Sequence, residues 1–140
     1  MRFVKDDGGR AAAGFKGSAG DCVCRSIAIA SGFPYADVYK RLSEGAGSQR
    51  RSKHARKVVA SARDGINTRR KWFKDYMAEL GFEWVPTMTI GSGCKTHLVA
   101  SDLPKGRIVV AVSKHYVAMI DGVIHDTHDP SRGGDRCVYG

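Results

Sequence analysis

"HYVAMIDGVIHD", residues 115–126, is a pair of apolar runs on either side of Asp121-Gly122. That dipeptide tolerates the positive φ angles of a two-residue type I′ turn, so the stretch reads as a β-hairpin. A turn of that length sets the register: Ile120 faces Val123, Met119 faces Ile124, and Val117 faces Asp126. His115 and Asp126 then leave the same sheet face as diagonal neighbours, with His128 opposite His115. Upstream, "RIVVAVS" (107–113) is rich in β-branched residues and reads as a buried strand, with "SDLPKG" (101–106) as the turn before it. "FEWVPTMTI" (82–90) and "RCVYG" (136–140) are expected to add strands at the margins.

Towards the N-terminus the period changes from two to about 3.6 residues. In "DCVCRSIAIASG" (21–32) Asp21 is placed as an N-cap, apolar residues recur at helical spacing, and Gly32 stops the run. "PYADVYKRL" (34–42) carries Tyr35, Val38, Tyr39 and Leu42 on one stripe, and "TRRKWFKDYMAELG" (68–81) carries Trp72, Phe73, Tyr76, Met77 and Leu80. These aromatics read as core rather than as a base-stacking platform. Between these helices, "SEGAGSQRRSK" (43–53) reads as loop, with a mobile basic loop expected over 43–57, and "HARKVVASARDG" (54–65) as a weak helix. Helices first and strands last predict an α+β fold, N-terminal helices packed on a C-terminal antiparallel sheet, in one domain spanning 1–140.

With 42% hydrophobic and 26% charged residues, the 140-residue chain has the balance of a folded domain rather than of a disordered one. No apolar run reaches the roughly 20 residues of a membrane span, and "MRFVKDDGGR" lacks the apolar stretch of a signal peptide. A cytoplasmic protein is expected, with Cys22, Cys24, Cys94 and Cys137 as reduced thiols rather than a disulfide framework. The net charge of +9 favours polyanions and acidic surfaces, and it concentrates in "QRRSKHARK" (49–57) and "RRKWFK" (69–74).

A thiol at a helix start gains most from its surroundings, because unpaired backbone N–H groups and the positive end of the helix dipole stabilise the thiolate. Cys22 holds that position. Cys24, turned to another side of the helix, reads as a small core residue. A cysteine nucleophile needs an imidazole and a group that orients it. His115 and Asp126 supply both in the hairpin register, with Asp129 as an alternative acid if the turn is wider. His125 alternates away from the His115 face and reads as structural, and Arg25 reads as an ion-pair or rim residue. "CVC" (22–24), "CKTH" (94–97) and "HDTH" (125–128) cluster soft and nitrogen ligands, but none is the paired C-x2-C arrangement of a zinc site. No metal ligand and no cofactor is assigned.

Cysteine at the start of a buried helix, histidine at the start of a strand and an acid on the next strand resemble the papain-like cysteine peptidase superfamily. "DCVCRSIAIASGFPYADVYKRL", "LPKGRIVVAVSKHYVAMIDGVIHDTHDPSRGG" and "VYG" also resemble small phage-encoded proteins, over most of the chain outside 43–68. The resemblance implies a papain-like fold and a thiol hydrolase or acyl transferase, a peptidase, isopeptidase or amidase. Cys22 would be nucleophile, His115 general base and Asp126 the orienting acid; the substrate would be a protein or peptide, and the compartment the host cytoplasm. Papain-like enzymes often carry a glutamine before the cysteine as oxyanion donor. "FKGSAGD" (15–21) has none, which passes that task to backbone amides at 20–22 with Ser18 or Lys16 assisting. The alternative reading is a non-enzymatic basic module that contacts nucleic acid or an acidic host protein through Arg50, Arg51, Lys53, Arg56 and Lys57, without membrane contact.

Overall fold

The hairpin forms in the expected register. Strand β3 (His115–Ile120) pairs with β4 (Val123–Asp126) with Ile120 on Val123 and Met119 on Ile124. Asp121 and Gly122 both take positive φ, 48° and 81°, as a type I′ turn requires. The computed structural model describes residues 2–17, 20–48, 62–63, 65–89 and 91–140. Within them, three helices precede most of a four-stranded sheet: α1 (Cys22–Ser31), α2 (Tyr35–Ser48) and α3 (Lys71–Glu79), then β2 (Arg107–Val112) ahead of the hairpin. The architecture is α+β.

The sheet departs from the expected antiparallel arrangement. Its order is β1-β4-β3-β2, and β1 (Phe3–Lys5) lies parallel to β4, which makes the sheet mixed. An exposed three-residue strand carries no periodicity, so its long-range pairing leaves no trace in sequence. On the opposite edge, "RCVYG" adds isolated bridges rather than a full strand: Tyr139 donates its N–H to Ala111 O, and Ala111 donates to Gly140 O. "FEWVPTMTI" forms no strand among its described residues; Trp84 and Val85 are exposed, so no sheet face recruits them.

Helix α2 runs to Ser48, so residues 43–48 are helical rather than part of a mobile loop. Ser43 and Glu44 continue the turns begun at Tyr35, and Gly45 is accepted because the Trp72 ring occupies the place of its side chain. The basic residues Arg50, Arg51, Lys53, Arg56 and Lys57, and the helix expected after them, lie outside the described residues apart from that segment's last few positions. "RRKWFKDYMAE" gives α3 with Phe73 and Tyr76 buried against Val23, Ile27, Val38 and Leu42 of the first two helices.

Helix α1 is the centre of the fold. Ten residues are too few to be stable alone in water, so its helicity depends on burial. Ile27 is fully buried among α2 and α3, while Ile29 and Ala30 meet Ala118 of β3. At its C-terminal end Gly32 adopts the left-handed conformation, and Arg107 donates to the carbonyls of Ala30 and Ile29, both at 3.0 Å. A guanidinium on the last carbonyls also opposes the negative end of the dipole.

Cys94 and Cys137, expected as thiols, are joined in a disulfide. Their 43-residue separation hid a proximity that the C-terminal bridges create, with His97 paired to Cys137. Cys22 and Cys24 are free.

A Cβ on Gly45 would sit 2.2 Å from Trp72 Cε3. Gly45→Ala therefore lowers stability by about 1–3 kcal/mol despite its better helix propensity. Urea denaturation checks this; an unchanged or raised midpoint contradicts the packing.

Candidate active site

The three residues that the sequence nominates meet where elements end. Cys22 is the first residue of α1, His115 the first of β3 and Asp126 the last of β4. His115 Nε2 lies 2.6 Å from Asp126 Oδ2. The Cys22 thiol lies close enough to the same imidazole for each group to favour the charged form of the other. With Nε2 committed to the carboxylate, Nδ1 is the nitrogen left for sulfur. Sulfur, imidazole and carboxylate thus follow one another in the order that a triad requires.

Asp129 is excluded from this line by its own local structure. Its Oδ1 accepts the Ser131 N–H at 2.9 Å, closing a turn of its own. His128 lies beside His115 with ring centroids 5.3 Å apart, as the hairpin register predicts. His125 points elsewhere, its Nδ1 3.3 Å from Asp6 Oδ2 beyond β1.

The electrostatics follow from burial and partners. Burial works against the Cys22 thiolate, yet the His115 ring, the Tyr116 N–H and the Arg25 charge outweigh it and hold the thiol below its ordinary value. Burial likewise works against the His115 imidazolium, but Asp126 and the Cys22 sulfur raise it to about 9. The Asp126 carboxyl, buried too, is held below the usual carboxylate range by His115, the Thr127 N–H and Arg25. Cys24 shows the contrast. Burial pushes it up to about 12, and its thiol donates to the Tyr35 carbonyl 3.9 Å away. Burial and partners thus move the two cysteines in opposite directions.

Behind the line lies a buried ionic network that the sequence analysis missed. Asp21 is not an N-cap in the expected sense: its carboxylate makes no bond to the helix amides. Instead Oδ1 accepts from Arg25 Nη1 at 2.5 Å and Oδ2 accepts from the Tyr35 hydroxyl at 2.6 Å. Tyr35 in turn accepts from Arg10 Nη1 at 2.8 Å. Arg25 extends its other nitrogen, Nη2, to Asp126 Oδ1 at 3.1 Å, and Oδ1 also accepts the Thr127 N–H at 2.7 Å. Asp21 and Arg25 stand four residues apart, so the pair was visible as a helical i,i+4 contact. Its continuation to Asp126, 101 residues away, was not.

A cavity of about 290 Å³ borders this network, lined by Asp7, Arg10, Phe15, Asp21, Arg25 and Thr127 among others. The Cys22 sulfur is not part of its wall. Of the oxyanion donors considered, Ser18 lies outside the described residues, and the Lys16 carbonyl is engaged by Arg10 Nη2 at 3.2 Å. The amides of the first turn of α1 lack intrahelical acceptors by the geometry of any helix start.

Two groups of potential metal ligands occur among the described residues: His115, Asp126 and His128 within the site, and Cys94, His97 and Cys137 away from it. No known family model, curated protein or solved structure matches this chain.

Arg25 is the cation between two buried carboxylates. Arg25→Met takes the shared cation from both, leaving Asp126 to His115 and Asp21 to Tyr35 and the more distant Arg10, and lowers stability by about 3 kcal/mol. Arg25→Lys keeps the charge but cannot span both acids as a planar fork does, and its loss falls in between. Urea denaturation of the three proteins checks the order; equal stability of Arg25→Met and the parent contradicts it.

Proposed function

We propose that this chain is a thiol hydrolase or acyl transferase with a papain-like arrangement, in which Cys22 is the nucleophile, His115 the acid and base, and Asp126 the group that orients and charges the imidazole. The observation that carries the reading is the convergence of Cys22, His115 and Asp126, with the ring hydrogen-bonded to the acid at 2.6 Å and the thiol near enough for the ring to favour its thiolate. A cysteine on a helix N-terminus packed against a strand that begins with histidine gives the same support at the level of architecture.

In this reading the Cys22 thiolate attacks the carbonyl carbon of an amide or ester. The carbonyl π electrons move to oxygen, and the first-turn amides, beginning with that of Cys22, receive the oxyanion. Collapse of the tetrahedral adduct breaks the bond to the leaving group, which takes the Nδ1 proton from the His115 imidazolium. A thioester at Cys22 and a neutral imidazole remain. Water, or an acceptor nucleophile in the transferase case, then gives its proton to His115 and its oxygen or nitrogen to the acyl carbon, and the sulfur leaves as thiolate. Asp126 keeps its negative charge throughout. It holds the ring by Nε2 and stabilises the imidazolium.

The working pH range follows from the two shifts. The thiolate forms as pH rises through the lowered value of Cys22, and the imidazolium is lost as pH rises through about 9. The ion pair therefore exists between those limits. Alkylation of Cys22 by iodoacetamide, mapped by mass spectrometry, is expected to reach half its maximal rate at a pH below that of a free thiol. His115→Ala should shift that midpoint upward and slow labelling near neutral pH by roughly 10²-fold or more. Labelling no faster than free cysteine, or unaffected by His115→Ala, contradicts the proposal. Hydrolysis of a thiol-reactive peptide ester panel extends the test to turnover, with Cys22→Ala as the expected inactive control.

A further inference from the structure

The second ligand cluster, Cys94, His97 and Cys137, lies outside the site described above, and its local structure is organised around the imidazole. An antiparallel bridge sets His97 directly against Cys137, fixed by Leu98 N–H to Arg136 O at 2.8 Å and Val138 N–H to Thr96 O at 2.9 Å. The neighbours Leu98 and Val138 are fully buried, so the bridge is anchored in the core and its alternate residues, His97 and Cys137, share the opposite side. Cys94, three residues before His97, brings its Sγ to 3.5 Å from His97 Nε2. Asp102 stands behind the ring: one carboxylate oxygen accepts the His97 backbone N–H at 3.0 Å and lies 3.7 Å from Nδ1. The ring thus has an acid on its Nδ1 side and a sulfur on its Nε2 side.

We infer that, with the Cys94–Cys137 bond reduced, this cluster is a zinc site. Two thiolates and an imidazole are the donor set that zinc prefers, with the fourth tetrahedral position left to water. Bond lengths of about 2.3 Å to sulfur and about 2.0–2.1 Å to nitrogen put tetrahedral sulfur and nitrogen ligands about 3.6 Å apart. The observed 3.5 Å between Cys94 Sγ and His97 Nε2 already meets that requirement. The ligand atoms all fall within 4.8 Å of one another, so tetrahedral ligation needs the two sulfurs to part to about 3.8 Å and Cys137 Sγ to settle about 3.6 Å from the ring nitrogen. Asp102, 3.7 Å from Nδ1, is placed to supply the carboxylate that holds a ligating histidine in the correct tautomer once the ring turns onto the metal. A dithiol reductant gives two electrons and two protons, cleaves the Cys94–Cys137 bond and leaves as its own disulfide. Zinc then displaces the two thiol protons to solvent. Disulfide and zinc are alternative ties between the 94–97 segment and the C-terminus, chosen by redox state.

The full-length chain, reduced without oxygen and freed of reductant, is loaded with Zn²⁺ and separately with Co²⁺, and metal per chain is measured after gel filtration. One metal per chain is expected, with thiolate-to-cobalt charge-transfer absorption, and none in the oxidised protein. Cys22→Ala retains the metal. His97→Ala, which leaves the disulfide and the core bridge intact, weakens zinc binding by more than about tenfold, and Asp102→Asn, which keeps all three ligands, by about tenfold. A reduced chain that takes up no stoichiometric metal overturns the inference. So does binding that is lost in Cys22→Ala, or that is unchanged in both His97→Ala and Asp102→Asn.

Discussion

A guanidinium held between two buried carboxylates fixes the relation of the first helix to the last strand. Arg25 belongs to α1 and Asp126 to β4, and their 3.1 Å contact crosses the boundary between the helical and the sheet halves of the fold. Removing three charged groups from water is costly, and the cost is offset only when each finds its partners at good distance. Asp21 and Asp126 supply them for Arg25, while Tyr35, His115 and the Thr127 N–H engage the carboxylates' other lone pairs. The arrangement admits little sliding of the helix along the sheet. Arg107 holds the C-terminal end of the same helix by its last carbonyls, so α1 is tied at both ends.

Cys22 inherits its position from those ties. It is the residue that follows Asp21 and precedes Arg25 by one helical turn, so locating that ion pair locates the sulfur. Asp126 divides its two oxygens between Arg25 and His115, and thereby joins the structural network to the chemical one. The carboxylate is charged because Arg25 and His115 favour its charge. His115 is charged because Asp126 and Cys22 favour its charge, against a burial that alone would remove it.

What the sequence made legible was local. The type I′ signal at Asp121-Gly122 set the hairpin register to the residue, and with it the meeting of His115 with Asp126 and of His115 with His128. The apolar period of 22–31 set α1 and placed Cys22 at its start. What escaped was long-range or contrary to local preference. Phe3–Lys5 is a strand only because β4 offers it an edge. Residues 82–89 have strand-like composition but meet the C-terminal segment at Thr87 without building a ladder, and residues 43–48 have loop-like composition but complete a helix beneath Trp72. Asp21 looked like a cap, since its best-known use is at that position, yet its carboxylate turns inward because a buried arginine outbids solvated helix amides. The pairing of Cys94 with Cys137 depends on a C-terminal bridge that no spacing announces.

The most direct measurement is the protonation of the His115 ring itself, followed by nitrogen-15 NMR of the imidazole as pH rises. The account predicts a ring that stays protonated through neutrality and loses its proton at about 9, with hydrogen-bonded signals at both nitrogens. A ring that titrates near the ordinary value of 6.5 would show that Asp126 and the Cys22 sulfur do no more than offset its burial, and would contradict the account.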